Sequence, residues 1–212
     1  MDTDRLIHSL AADNDMQERP VSNTLLVALL LGGPVAVALF LAGLGMRPDV
    51  ITAMGNPFFD LKFAVTIALT GAAVAISLHL SRPEASLGRW GWLLAIPLGL
   101  LGVGIMGDMM MPQRTSWPER MIGSNSRICL TAIPLLSLPI LAAALMALRH
   151  GAPSRPALAG AFAGLLSAGL AATLYASHCT DDSPLFVATW YTLAIGIITV
   201  IGAIAGSRVL KF

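Results

Sequence analysis

Long apolar runs are the feature that most constrains this chain. Six stretches reach the roughly 20 apolar residues that a helix needs to cross a bilayer. Their predicted bounds are 24–46, 61–80, 90–110, 128–148, 156–177 and 185–206. Charged residues delimit them, since none lies between Arg127 and Arg149 or between Asp182 and Arg208. The chain is therefore predicted to be an all-α, polytopic membrane protein: a bundle of six transmembrane helices with short loops.

The composition favours a bilayer as the solvent of this chain. Only 12% of the 212 residues are charged and 56% are hydrophobic, whereas roughly 25% of a soluble domain is charged. So few charges cannot cover a water-facing surface. The net charge of +1 provides no strong field for nucleic acid, so no direct nucleic-acid contact is predicted.

The distribution of Lys and Arg predicts the orientation. With the N-terminus inside, eight basic residues are cytoplasmic (Arg5, Arg19, Arg82, Arg89, Arg149, Arg155, Arg208 and Lys211) and five are outside (Arg47, Lys62, Arg114, Arg120 and Arg127). The excess of positive charge predicts that side to be cytoplasmic. The acidic N-terminus does not resemble a secretory signal. The predicted division is a cytoplasmic segment 1–23, a transmembrane domain 24–206 and a cytoplasmic tail 207–212.

The middle third of each predicted span lacks charge. Transporters and pumps usually place ionisable groups there. Lys62 is predicted at an outer helix end, where its stem reaches the interface, and Asp60 and Asp108 also lie near outer ends. This pattern favours a scaffold or sensor. A small metal or metabolite transporter is the alternative function.

Small residues recur at four-residue spacing in the last two spans. They are Gly160, Gly164, Ala168 and Ala172 in the fifth, and Gly202 and Gly206 in the sixth. Such lines let two helices approach closely. One interpretation is the seam of a homodimer. The other, which the pattern favours, is contact within one bundle.

Two cysteines fall at the predicted outer ends of the bundle. Cys129 begins the fourth span, and Cys179 lies in the loop between the fifth and sixth. They are too far apart in the chain for a C-x-x-C redox motif. Two thiols at one depth could form a disulfide in an oxidising compartment or bind a soft metal ion. The alternative is two unrelated buried thiols.

The residues around Cys179 are potential metal ligands. His178, Asp181 and Asp182 add an imidazole and two carboxylates, so a metal site is predicted there together with Cys129 and Cys179. The carboxylates also have a simpler explanation. Asp182 or Ser183 can cap the sixth span, which Pro184 would begin.

The N-terminal segment is the candidate for binding a soluble partner. Leu6, Ile7 and Leu10 fall on one face of a short helix, which is marginal alone but can order in a partner's groove. The alternative is a solvated or interface-lying tail. No catalytic or cofactor-binding motif is present, so the chain is predicted not to be an enzyme and to need no cofactor.

Several motifs together resemble a known family. The strongest are Cys129-Leu130, Ile133-Pro134-Leu135-Leu136, Leu148-Arg149, Gly151-Ala152-Pro153, Tyr175, and His178-Cys179-Thr180-Asp181-Asp182-Ser183-Pro184-Leu185-Phe186 with Trp190-Tyr191. The opening residues Thr3-Asp4, Leu6-Ile7 and Leu10-Ala11 also fit. With these residues the chain resembles, over nearly its full length, the NrsF family of bacterial membrane anti-sigma factors.

The resemblance implies a six-span protein of the bacterial inner membrane with both termini cytoplasmic. It implies that the N-terminal segment, where the helix spacing already made Leu6, Ile7 and Leu10 the candidate contacts, sequesters an ECF-type sigma factor. It also implies that Cys129 and Cys179 sense heavy-metal or oxidative stress, and that the sigma factor is then released. Chromate and cadmium are the signals associated with the family.

Overall fold

The described part of the chain is helical. The computed structural model describes residue 3 and residues 21–82, 85–111, 116–151 and 153–211, and within these ranges there is no strand. Among the described residues, six helical segments are long and apolar enough to cross a membrane: Val21–Gly43, Pro57–Leu80, Gly88–Met110, Trp117–Gly151, Pro156–Ala176 and Pro184–Val209. The predicted number and order of membrane-length helices are confirmed.

The main α-helix of each segment is numbered in chain order. These helices are α1 (Val21–Gly43), α2 (Pro57–Leu80), α3 (Ala95–Met110), α4 (Ser126–Leu148), α5 (Pro156–Ala176) and α6 (Thr192–Val209). A 3₁₀ helix, Gly88–Leu94, precedes α3, and short helices Val50–Ala53 and Trp117–Ile122 lie in loops. A short α-helix, Pro184–Phe186, and a π-helical turn, Val187–Tyr191, precede α6.

Prolines and small polar residues begin several of these segments. Pro57, Pro156 and Pro184 each occupy the first turn, where a missing N–H costs nothing because the first amides have no helical acceptor. Asn56 caps α2 by accepting from the Phe58 N–H at 3.1 Å. Ser183 caps the sixth segment, as one of the two predicted caps, by accepting from the Leu185 N–H at 3.3 Å.

Helix α5 is the centre of the bundle. It packs against α2, α4 and α6. In its most apolar stretch 61% of the residues are buried, compared with 17% in the segment that contains α3. Its small residues, including Gly160, Gly164 and Ala168, allow three neighbours to approach it together. Helix α3 is peripheral and packs mainly on α2.

The glycine lines of α5 and α6 face each other within the chain. A Cβ on Gly160 would lie 2.3 Å from the Gly202 carbonyl oxygen, and a Cβ on Gly202 would lie 2.4 Å from the Gly160 carbonyl oxygen. Backbone oxygens cannot move away as a flexible side chain can, so only glycine permits this contact. These glycines thus serve contact within one bundle. A homodimer would have to use another surface.

Tryptophans mark both ends of the bundle. Trp90 and Trp92 are exposed on the 3₁₀ helix that follows the α2–α3 loop, and the Trp90 ring stacks on His79 at 4.7 Å. Trp117 is exposed at the opposite end. Tryptophan is enriched at membrane–water interfaces, so the two groups indicate where the apolar region of the bundle ends.

Candidate functional site

The structure brings Cys129 and Cys179 into one buried cluster. Cys129 lies in the first turn of α4 and Cys179 in the 177–183 loop, and both are free thiols without exposed surface. Tyr175, Phe186 and Tyr191 belong to the same cluster. The Tyr175 and Tyr191 rings lie 5.7 Å apart. Two thiols that are distant in sequence therefore lie in the same buried cluster at the end of the bundle.

Asp182 holds this loop with two cations. Its carboxylate accepts from the Lys62 Nζ at 2.5 Å and from the Arg47 Nη1 at 3.0 Å. Both cations also donate to the Cys179 carbonyl oxygen, Lys62 at 2.7 Å and Arg47 at 3.3 Å. Arg47 lies in the α1–α2 loop and Lys62 on α2, so the Cys179 loop is bonded to both elements.

Lys62 does not extend to the interface as the sequence predicts. Its side chain has 0% exposure, and its ammonium lies 4.8 Å from the centre of the Phe59 ring. A buried ammonium is costly unless it has a carboxylate and further acceptors. The fold supplies Asp182 from a loop 120 residues away, which the sequence pattern did not indicate.

Asp181 joins the same loop to the start of α4. Its carboxylate accepts from the backbone N–H groups of Ser124 and Asn125, at 3.0 and 2.8 Å. Negative charge at a helix N-terminus is favourable because the first amides there lack partners. Gly123 makes room for this contact: its φ is +59°, and a Cβ there would lie 2.5 Å from the Phe186 ring. The loop thus binds the helix that carries Cys129.

His178 makes the third contact of the loop, to the turn that follows α1. Its Nδ1 lies 3.0 Å from the Gly45 carbonyl oxygen. The described residues contain no group of three or more His, Cys, Asp and Glu side chains arranged to hold a metal ion. The metal site of His178, Asp181 and Asp182 with Cys129 and Cys179 stays a prediction. In this conformation the imidazole and both carboxylates bond to protein groups.

A polar pocket of about 240 Å³ opens beside the loop, between Thr180, Ser183 and the short helix that carries Glu119 and Arg120. Arg120 also forms an ion pair with Asp108, which is buried on α3. Sequence reasoning missed the site roles of Arg47, Lys62 and this pair. One signal could have indicated these roles. Opposite charges lie at the same ends of the apolar spans, and charged side chains at such positions rarely stay unpaired.

The protonation of Cys179 gives a testable property of the cluster. Burial raises the pKa of this thiol, and the nearby Lys62 ammonium opposes the shift only in part. Since the thiolate is the reactive form, N-ethylmaleimide should label Cys179 slowly at neutral pH. The rate should keep rising with pH beyond the usual midpoint near 8.5.

The measurement is mass spectrometry of a Cys129→Ser chain, labelled across a pH series in mild detergent and, as the control, in SDS. Denaturation removes the burial, so the SDS sample should show the ordinary thiol midpoint. Equal rates and midpoints in both samples would contradict a buried, protonated Cys179.

The predicted partner-binding residues cannot be placed on this site. Leu6, Ile7 and Leu10 lie outside the residues that the structure describes. The nearest described helix is α1, which begins at Val21. Its other end lies at the loop just described, through Gly45 and Arg47.

Comparison with known proteins gives two full-length relatives. A family model described as "Negative regulator of sigma F" (NrsF) matches residues 10–212. A protein of Caulobacter vibrioides named "Anti-sigma-F factor NrsF" is 39% identical, and one of Azospira oryzae named "Probable anti-sigma-F factor NrsF" is 31% identical. Each alignment covers 100% of both chains. No solved structure matches the chain.

Proposed function

The chain belongs to the NrsF family of negative regulators of sigma F, and from this premise we propose that it is a membrane-bound anti-sigma factor for an ECF-type sigma factor. The observation that carries this proposal is the full-length identity of 39% to a protein named as an anti-sigma-F factor. Segment 1–20, through Leu6, Ile7 and Leu10, holds the sigma factor at the membrane and away from RNA polymerase. The proposed role is regulatory and involves no catalysis.

The proposed location is the bacterial inner membrane, with both termini in the cytoplasm. The six membrane-length helices and the tryptophans at both ends of the bundle support the membrane location. The greater number of basic residues on the N-terminal side supports the orientation. It puts the docking segment 1–20 and the tail 207–212 on the side of the sigma factor, and the 177–183 loop on the other.

The proposed sensor of heavy-metal or oxidative stress is the thiol pair, Cys129 and Cys179. In oxidation, the two thiols would form one S–S bond and give two electrons and two protons to a peroxide, which is reduced to water. A soft metal ion would instead displace both thiol protons, with His178, Asp181 and Asp182 as further ligands. The burial of both thiols in one cluster supports the pairing.

Helix α1 is the proposed connection between sensor and docking segment. Its outer end is bonded to the loop by His178, which lies 3.0 Å from the Gly45 carbonyl oxygen, while its inner end at Val21 follows the docking segment directly. Joining Cys129 to Cys179 would rearrange the loop and shift α1. Couplings of about 1–3 kcal/mol are typical, which corresponds to a roughly 5- to 150-fold change in sigma affinity.

A double variant tests the sensor. Cells with Cys129→Ser and Cys179→Ser should keep a sigma-dependent reporter repressed under cadmium or peroxide, because serine neither forms a disulfide nor binds soft metals well. The sigma factor should still co-purify with the variant from membranes, which controls for folding and docking. Induction equal to that of the wild-type chain would rule out the thiol sensor and leave the anti-sigma assignment standing.

A further inference from the structure

A cavity of about 220 Å³ lies between α2, α3 and the sixth segment. Its walls include Val65 and Leu69 of α2, Leu98 and Leu101 of α3, and Val187 and Tyr191 of the π-helical turn. Leu98 is 67% exposed on the outer surface of the bundle. The cavity is therefore reached from the side of the bundle, where the apolar surface of the helices faces outward.

The packing of α3 explains why this space exists. Helix α3 touches α2 closely at Gly104, where a Cβ would lie 2.1 Å from the Leu61 Cδ2. The cavity-lining residues Leu98 and Leu101 of α3 lie between this contact and the stacking of Trp90 on His79 at the other end of α2. On the opposite wall, the π-helical turn widens the sixth segment locally, and such turns occur frequently at functional sites.

The residues that line the cavity favour an apolar ligand. Among the described residues that line the cavity, the only polar side chains are Thr66, Tyr191 and Thr192. The Thr66 hydroxyl already donates to the Lys62 carbonyl oxygen at 2.9 Å. The Tyr191 hydroxyl is buried without a hydrogen bond to a described group, in the cluster that contains Cys179. A trapped water needs two to four polar partners, and a polar metabolite needs placed polar groups. This cavity offers almost none.

We propose that the cavity binds an acyl chain of a bilayer phospholipid. The proposal rests on the proposed membrane location, because only there is hydrocarbon the solvent beside Leu98. Val187 and Tyr191 form the wall of the cavity and belong also to the cluster of Cys129 and Cys179. A bound acyl chain would therefore pack against Val187 and Tyr191, on the side of the thiol cluster that faces the lipid.

Photo-crosslinking tests the proposal on the full chain. The protein is reconstituted in vesicles of phosphatidylethanolamine and phosphatidylglycerol that contain a phospholipid with a diazirine in its acyl chain. After irradiation, mass spectrometry should map crosslinks to Leu98 and Leu101. Val65→Phe extends a buried side chain into the cavity and should reduce them to the level found at Val103, which only the bulk lipid reaches. Ile67→Phe makes a comparable change on the same helix at a 58% exposed position and should preserve them.

Each outcome decides the question. Crosslinks at the outward-facing Val103, which is 68% exposed, would report the membrane location independently of the cavity. If Val65→Phe kept the wild-type crosslinks, or if labels at Leu98 and Leu101 did not exceed those at Val103, the acyl-chain site would be refuted. Thermal unfolding checks both variants, and Ile195→Phe fills the cavity from α6 if Val65→Phe does not fold.

Discussion

Replacing Asp182 with alanine is expected to lower the free energy of unfolding by about 3–5 kcal/mol, the usual cost of removing one partner of a buried ion pair. Lys62 would keep only the Cys179 carbonyl oxygen at 2.7 Å as its acceptor, and its side chain has 0% exposure. Denaturant unfolding in detergent micelles measures the loss. Since the loop would also lose the ion pair between Asp182 and Arg47, maleimide labelling of Cys179 should accelerate.

Asp49→Ala is the matched control for this substitution. Asp49 binds the same arginine, with its Oδ1 at 2.7 Å from the Arg47 Nε, but its side chain is 53% exposed. Exposed pairs contribute only about 0–1 kcal/mol. Combining Lys62→Met with Asp182→Leu should recover most of the stability, because apolar groups can replace a buried pair. Equal stability of Asp182→Ala and Asp49→Ala would show that the Lys62 contact does not hold the loop.

Leu6→Asp combined with Leu10→Asp is expected to release the sigma factor constitutively. Each leucine that is buried in a partner's groove contributes roughly 1.5–3 kcal/mol. Losing both would weaken binding by about two to four orders of magnitude, at 1.4 kcal/mol per factor of ten. The measurements are co-purification of the sigma factor from membranes and a sigma-dependent reporter without stress.

His8→Asp combined with Ala12→Asp is the control for added negative charge. On a helix these two positions lie opposite the face of Leu6 and Leu10, so the same number of carboxylates is added away from the proposed contact. The control should retain the sigma factor. Retention by the Leu6→Asp, Leu10→Asp chain would refute the proposed docking face, and loss by both chains would indicate that charge alone weakens binding.

The sequence predicted the helices closely because their pattern is local. An apolar run long enough to span a bilayer has few other stable conformations, and charged or proline residues delimit each run. Most predicted bounds lie within a few residues of the observed ones; the last segment, for example, begins at Pro184 and continues to Val209 rather than ending at 206. The π-helical turn at Val187–Tyr191 has no comparable signal in the chain.

The thiol site could be predicted only in part. Because successive spans run in opposite directions, the sequence correctly placed Cys129 and Cys179 at the same end of the bundle. It could not show that both are fully buried, nor that Asp181 and Asp182 of one loop bind different elements. Those contacts join residues more than 50 positions apart, and no local pattern encodes which distant charges will meet.

The six apolar runs by themselves determined six α-helices long and apolar enough to cross a membrane, because in hydrocarbon a helix satisfies its backbone groups within its own segment. The tertiary structure alone decided which polar groups pair at the end of that bundle. There a buried Lys62 requires a carboxylate, and the packing of α2 beside the 177–183 loop supplies Asp182 at 2.5 Å. Tertiary packing likewise decided that the glycines of α5 and α6 contact each other within the chain, since only the assembled bundle brings the two backbones together.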